Sequence, residues 1–270
     1  MAQNSLNDTS NTQALPHEHA SFPDMPTLFA KGELIDGGVT GVVYLQDDGT
    51  VIKYAWPEQD DCEEEMAQEA RAYSRLFDLL GHHPRFVKFR SYDEHAHTIT
   101  LEYMANGTLR AYLRAHNESI SKEQRFRWIV ALAEGLELLH SANIVHCDFS
   151  PKNLLLDEDL ELKVADFGCS SLDGGRTNGG GSARFYAPRD WRTGRIEAVD
   201  DMFALGSCIF EILTGSPPYD DLETRRVHRL YDLRQFPDLV AMDFADVLRD
   251  CWLLREPSAR EIHRRLHEAL

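Results

Sequence analysis

The stretch NIVHCDFSPKNLLLD, residues 143–157, crowds an aspartate, a lysine and an asparagine into one polar loop between two apolar runs. Those residue types suit phosphoryl transfer. That reaction needs little covalent help: phosphates must be held, their charge neutralised through a divalent cation, and a hydroxyl aimed in line. Asp148 can orient an incoming hydroxyl and accept its proton. Asn153 offers a neutral oxygen suited to Mg2+. Farther on, Asp166 in the tripeptide D-F-G offers a carboxylate to the metal, with Gly168 expected to allow the turn.

Upstream, DGGVTGVV at 36–43 can bring backbone amides close to phosphates through Gly38 and Gly41, with Val43 placed to cover an adenine ring. A hairpin bulge explains the same glycines without any ligand. Lys53, in the strand TVIK, can hold phosphates if a carboxylate fixes it. Glu69 follows 16 residues later, with Tyr73 and Leu76 at i+4 and i+7 marking an inward helix face. Glu63, Glu64 and Glu65 are rival partners but read as a solvated acidic run. Each feature alone is weak; their order and spacing together make chance a poor explanation.

The elements that must position these groups fall into two regions of an α+β chain. Residues 1–30, rich in Asn, Ser, Thr, Gln and Pro, show no period and are expected to be a disordered tail. From about 31 to 103 the pattern is mostly β-like, with one helix, DCEEEMAQEARAYSRLFDLLG, ending at Gly81. RFVKFRSYD and HTITLEYM are further strand candidates. From 104 to 270 the chain becomes mainly helical: Ser121 with Gln124 reads as a capping box, and residues 201–213 form an apolar helix expected to be central and buried.

In this order, residues 31–270 resemble a eukaryotic-type protein kinase domain. The resemblance rests on the glycine segment at 36–43, T-V-I-K ending at Lys53, Glu69, H-H-P-R-F-V at 82–87 and L-E-Y-M at 101–104. It continues through H-C-D-F-S-P-K-N at 146–153, D-F-G at 166–168, G-S-A-R-F-Y-A-P-R at 181–189, D-M-F-A-L-G at 201–206, L-T-G-S-P-P-Y at 213–219 and C-W-L-L-R-E-P-S-A-R at 251–260. It implies a bilobal fold, a small antiparallel sheet with one key helix above a helical lobe, and ATP and Mg2+ as cofactors. By the same resemblance Lys53 paired with Glu69 grips ATP, Leu101 is the gatekeeper, and Glu102 and Met104 offer backbone hydrogen bonds to adenine. Asp148 is then the base, Asn153 and Asp166 hold the metal, and Asp201 braces the catalytic loop.

Several positions depart from the family pattern. Cys147 replaces an arginine that pairs with a phosphorylated activation loop, so activity is expected without phosphorylation at Ser170, Ser171 or Thr177. Ser150 replaces a lysine that steadies the γ-phosphate, and Lys152 is the expected substitute. Val51 stands where a smaller alanine usually lies above adenine. Arg189 replaces a glutamate that pairs with the late arginine, here Arg260, and Asp190 is the expected replacement partner. Cys169 is expected to be inert. Ser182 and Pro151 follow the serine/threonine pattern, whereas the C-terminal tail looks closer to tyrosine-kinase-like members. A pseudokinase scaffold and a small-molecule phosphotransferase are the competing classes.

A formal net charge of −17 argues against nucleic acid and anionic lipid as partners. The acidic surface is either simply solvated or attractive to basic protein substrates. The five cysteines form no C-x-x-C pair, and no signal peptide is visible, so a reducing, cytoplasmic or nuclear setting is expected; a monomer is expected as well. With residues 31–270 taken up by the kinase-like region, a chain of 270 residues is expected to leave no room for a second folded regulatory domain.

Overall fold

A computed structural model describes residues 32–175, 177, 182–188, 197–255 and 258–269. Five antiparallel strands form the first sheet: β1 (Glu33–Gly37), β2 (Gly41–Leu45), β3 (Thr50–Ala55), β4 (Phe89–Asp93) and β5 (Thr98–Glu102), in the order β1-β2-β3-β5-β4. The β2/β3 register sets Gly41 opposite Ala55 and Val43 opposite Lys53. Gly41 has a steric reason to be glycine: a Cβ there would lie 1.8 Å from Tyr54 O, so no side chain permits this approach.

Helix α1 (Asp60–Leu80) crosses this sheet. Its first turn carries Asp60, Asp61 and Glu63, which complement the helix dipole. Met66, Ala70, Tyr73 and Leu76 recur at helical spacing and are buried, in one core with Val51, Ile99 and Leu101 of the sheet. Fully burying a side chain of the size of Met66 contributes roughly 1.5–3 kcal/mol. The expected strand at 85–93 is shorter, because residues 85–87 instead join the second half of the chain: Val164 N donates to Arg85 O at 2.8 Å and Val87 N to Val164 O at 3.2 Å.

The remainder is helical with short strand pairs. Helices α2 (Leu109–His116), α3 (Lys122–Ser141), α4 (Ala198–Thr214), α5 (Thr224–Asp232), α6 (Ala245–Trp252) and α7 (Ala259–Glu268) surround β6 (Ile144–Val145) paired with β9 (Ser171–Leu172), and β7 (Leu154–Leu156) paired with β8 (Leu162–Val164). As expected, α4 is buried nearly all round. It starts with a full capping box, Glu197 with Asp200, and stops at Gly215. The box expected at α3 is only half formed. Ser121 Oγ accepts from Gln124 N at 3.1 Å, but the Gln124 amide turns to Leu160 O at 3.3 Å instead of back to the cap. A tertiary acceptor has won over the local one.

Candidate active site

Alternation along β3 places Val51, Lys53 and Ala55 on one face. Lys53 Nζ reaches Glu69 Oε2 on α1 at 2.6 Å and Asp166 Oδ1 at 2.7 Å. Glu69 is 1% exposed, while the Asp166 side chain is about half open at 48%. Burial alone would push Lys53 toward neutrality, but Asp166 and Glu69 outweigh it and hold its pKa above the ordinary lysine value. Burial raises the Glu69 pKa against the pull of Lys53, whereas the Lys53 charge lowers that of Asp166. The ammonium is therefore fixed, charged and still able to donate.

The catalytic-loop candidate hangs from α4. Asp201, 1% exposed, accepts from His146 N at 2.7 Å and from Cys147 N at 3.0 Å, with His140 Nε2 at 3.0 Å. That carboxylate holds Cys147 at φ +68°, a left-handed conformation unfavourable for a residue with a side chain. Beyond the bend, Asn153 Nδ2 donates to Asp148 O at 2.7 Å and to Asp148 Oδ2 at 3.0 Å, which leaves Asn153 Oδ1 for another partner. Burial raises the Asp148 pKa, opposed by His146, the Asn153 hydrogen bond and nearby Lys152, which is exposed. Ser150 is buried at 3%.

The D-F-G turn differs from expectation. Asp166, not Gly168, takes the left-handed conformation, at φ +61°. Gly168 is not demanded by sterics either: a Cβ there would meet Glu65 O at 3.4 Å and Glu65 Cβ at 3.5 Å, ordinary van der Waals contacts. Phe167 also lies in a stack of rings that the motif reading missed. His146 and Phe167 lie 5.5 Å apart, Phe167 and Tyr73 4.8 Å, and Tyr73 and Phe89 5.6 Å. The stack joins the loop of Asp148 to the helix of Glu69. Its only trace in the sequence was the helical spacing of Tyr73 from Glu69.

The three rival glutamates at the start of α1 are not merely solvated. Glu65 Oε2 accepts from Thr40 Oγ1 at the tip of the β1–β2 hairpin, at 2.7 Å; Glu64 pairs with Arg71 at 2.6 Å and Glu63 with His97 at 3.4 Å. None competes for Lys53. Gly38 lies in the hairpin turn, and its carbonyl accepts from Trp56 Nε1 at 3.0 Å. At the far edge Leu101 and Met104 are buried, and the Glu102 carboxylate accepts from Lys88 N at 2.7 Å and Lys163 Nζ at 2.8 Å.

Cys147 is 5% exposed, and burial pushes its thiol up to about 12. Burial likewise pushes the Cys169 thiol up to about 12, so both are protonated and unreactive at neutral pH. The expected Asp190–Arg260 pair, with Arg189, lies outside the described residues; Arg260 Nε lies 3.7 Å from Glu137 Oε1. No group of three or more His, Cys, Asp or Glu ligands occurs among the described residues. A metal here would be held by Asn153 Oδ1 and the Asp166 carboxylate, completed by phosphate oxygens, which is the donor set Mg2+ accepts.

Residues 31–270 match the family described as protein tyrosine and serine/threonine kinase. The chain belongs to that family, and its sheet-plus-helix first half and helical second half form the bilobal kinase fold. Human cytoplasmic tyrosine-protein kinase BMX is 30% identical over 205 residues, 70% of this chain and 29% of the relative. The probable serine/threonine-protein kinase PBL4 of Arabidopsis thaliana is 30% identical over 229 residues, 73% of this chain and 55% of the relative. Mitogen-activated protein kinase kinase kinase 17 of the same plant is 26% identical over 249 residues, 86% of this chain and 66% of the relative. The chain thus spans under a third of the human relative and about half of the first plant one. No helix among the described residues is long and apolar enough to cross a membrane.

Proposed function

We propose that this chain transfers the γ-phosphate of ATP, with Mg2+, to serine or threonine hydroxyls of protein substrates. One observation carries the reading: Lys53 is clamped between Glu69 and Asp166 at 2.6 and 2.7 Å while Asn153 ties down Asp148. Residues 31–103 and 104–270 act as the two lobes of the catalytic domain. Lys53 steadies the α- and β-phosphates; Gly38, Gly41, Val43, Val51, Leu101, Glu102 and Met104 frame the nucleotide. Asp148 Oδ1 or Oδ2 orients the acceptor hydroxyl and takes its proton. Lys152, close enough to lower the Asp148 pKa, steadies the negative charge on the transferred group. Bound between Asn153 and Asp166, Mg2+ supplies neutralisation of phosphate charge.

The buried, uncharged Cys147 supports activity without activation-loop phosphorylation, since it offers no cation for a phosphate. Free cysteines at all five positions support a cytoplasmic setting. The acceptor choice rests on Ser182 and Pro151, because relatives of both hydroxyl specificities match.

The test is a radiolabelled ATP assay with a mixed peptide library, phosphoamino-acid analysis and Asp148→Asn as control. Label on serine and threonine, lost in the control and unaffected by prior phosphatase treatment, is expected. Label on tyrosine overturns the acceptor assignment. Nucleotide binding with no transfer overturns the enzyme in favour of a pseudokinase.

A further inference from the structure

On a chain of net charge −17, helix α5 presents a cluster of exposed arginines. Helix α5 buries Val227 and Tyr231, four residues apart, and turns Arg225, Arg226 and Arg229 to solvent on the opposite side. Arg234 follows and is also exposed. The outward stripe carries an apolar member, Leu233, 60% exposed, and Val240 beyond the helix is 84% exposed. These arginines form no ion pair or side-chain hydrogen bond among the described residues. Several arginines elsewhere do pair with carboxylates, Arg71 with Glu64, Arg75 with Asp173 and Arg265 with Asp246, whereas Arg90, Arg114 and Arg249 stand singly; among the described residues, only on α5 do several such arginines lie together. Exposed acids do flank the helix, Asp220, Asp221 and Glu223 before it and Asp232 in its last turn, yet none is engaged by them.

The position of α5 gives this island a use. The helix packs on the short turn Ala183–Phe185, in the segment that follows D-F-G. Arg184 Nη2 donates to Tyr219 O at 3.0 Å and to Leu222 O at 2.5 Å, and Tyr231 Oη to Arg184 O at 3.4 Å. The cationic face is thus anchored to the activation segment.

We propose that the outward face of α5 docks an acidic segment of the protein substrate, with Leu233 taking an apolar side chain beside the charges. Opposite charge speeds encounter and selects the partner, and the net charge of −17 disfavours unspecific approach of acidic segments to the chain as a whole. Net charge pointed to basic substrates; its distribution points the other way at this face. The inference rests on the kinase reading for calling the partner a substrate, while the binding is measurable without catalysis.

The experiment is fluorescence anisotropy on the full chain carrying Asp148→Asn, with three labelled peptides (Asp/Glu-rich containing leucine, Lys/Arg-rich, and neutral) and a single-stranded RNA oligonucleotide. The acidic peptide is expected to bind best, with affinity falling as salt rises from about 50 to about 300 mM. Arg225→Glu/Arg226→Glu/Arg229→Glu should weaken it by about tenfold or more, and Leu233→Ser by a smaller factor. Single alanine variants at these exposed positions should show graded losses, which separates docking from misfolding. Unchanged affinity in the triple variant, equal binding of the basic peptide, or tighter RNA binding through the same arginines would overturn the proposal. Acidic-peptide capture by a chain that transfers no phosphate leaves this inference standing and removes only the kinase reading.

Discussion

Among the described residues, two of the buried ion pairs are built differently. In the helical half, Arg110 meets Glu211 bidentately, Nε to Oε1 at 2.9 Å and Nη2 to Oε2 at 2.8 Å, with the guanidinium 5.0 Å from the Phe185 ring centroid. Arg110 is 8% and Glu211 1% exposed, so the pair is closed off. In the cleft, Lys53 is shared by two carboxylates, one of them about half open. A bidentate fork satisfies itself and fixes geometry, whereas an ammonium is a point charge with three donors and room for a further partner. The closed pair is a structural pin tying α2 to α4; the open one keeps a donor of Lys53 free beside a half-exposed carboxylate.

The contrast can be broken from either end. Lys53→Met should lower kcat/KM by ~10²–10³-fold, because a preorganised cation facing the developing charge is lost. Its melting temperature should change less than that loss suggests. Glu69, whose pKa burial already raises, can take up a proton instead of remaining an unpaired buried anion. A Lys53→Met variant with near-normal steady-state kinetics would remove the cleft from the chemistry.

Glu211→Ala leaves a buried guanidinium that cannot shed its proton. It should cost ~3–5 kcal/mol in denaturant unfolding, with kcat/KM of the folded fraction within about threefold of the parent. A stability change below about 1 kcal/mol would mean that the pair is replaceable by water.

The pH dependence sharpens the site further. Burial raises the Asp148 pKa, so as pH falls the base is protonated earlier than an ordinary carboxylate and activity is lost at a higher pH. The Asn153 hydrogen bond pulls that value down, so Asn153→Ala should move the acid limb of kcat/KM upward in a pH–rate profile. An unmoved limb would detach Asn153 from Asp148. The smallest change expected is at Tyr73, whose buried hydroxyl has no hydrogen-bond partner among the described residues. Tyr73→Phe should keep the ring stack and alter stability by about 1 kcal/mol or less, in the stabilising direction, as read by thermal melting.

Much of the cleft was legible from local order. The motifs that hold Lys53, Glu69, Asp148, Asn153 and Asp166 were legible through their resemblance to the kinase pattern, and the helix before Gly81 announced itself by its apolar stripe. The contacts that were not legible join residues with nothing local to mark them. Arg110 and Glu211 lie 101 positions apart, and each reads as an ordinary surface charge. Thr40 and Glu65 meet only because the hairpin tip folds over α1. Gln124 left its cap for a distant carbonyl, and the strained residue of D-F-G proved to be its aspartate.

The amino-acid order alone therefore marked the family and the elements that bear its motifs, because residue type and periodicity act over a few positions. Only the folded structure decided which charges are shared, closed off or left facing solvent. Burial and long-range pairing are properties of surfaces brought together across the chain, and the arginines of α5 and those of the core look alike until that has happened.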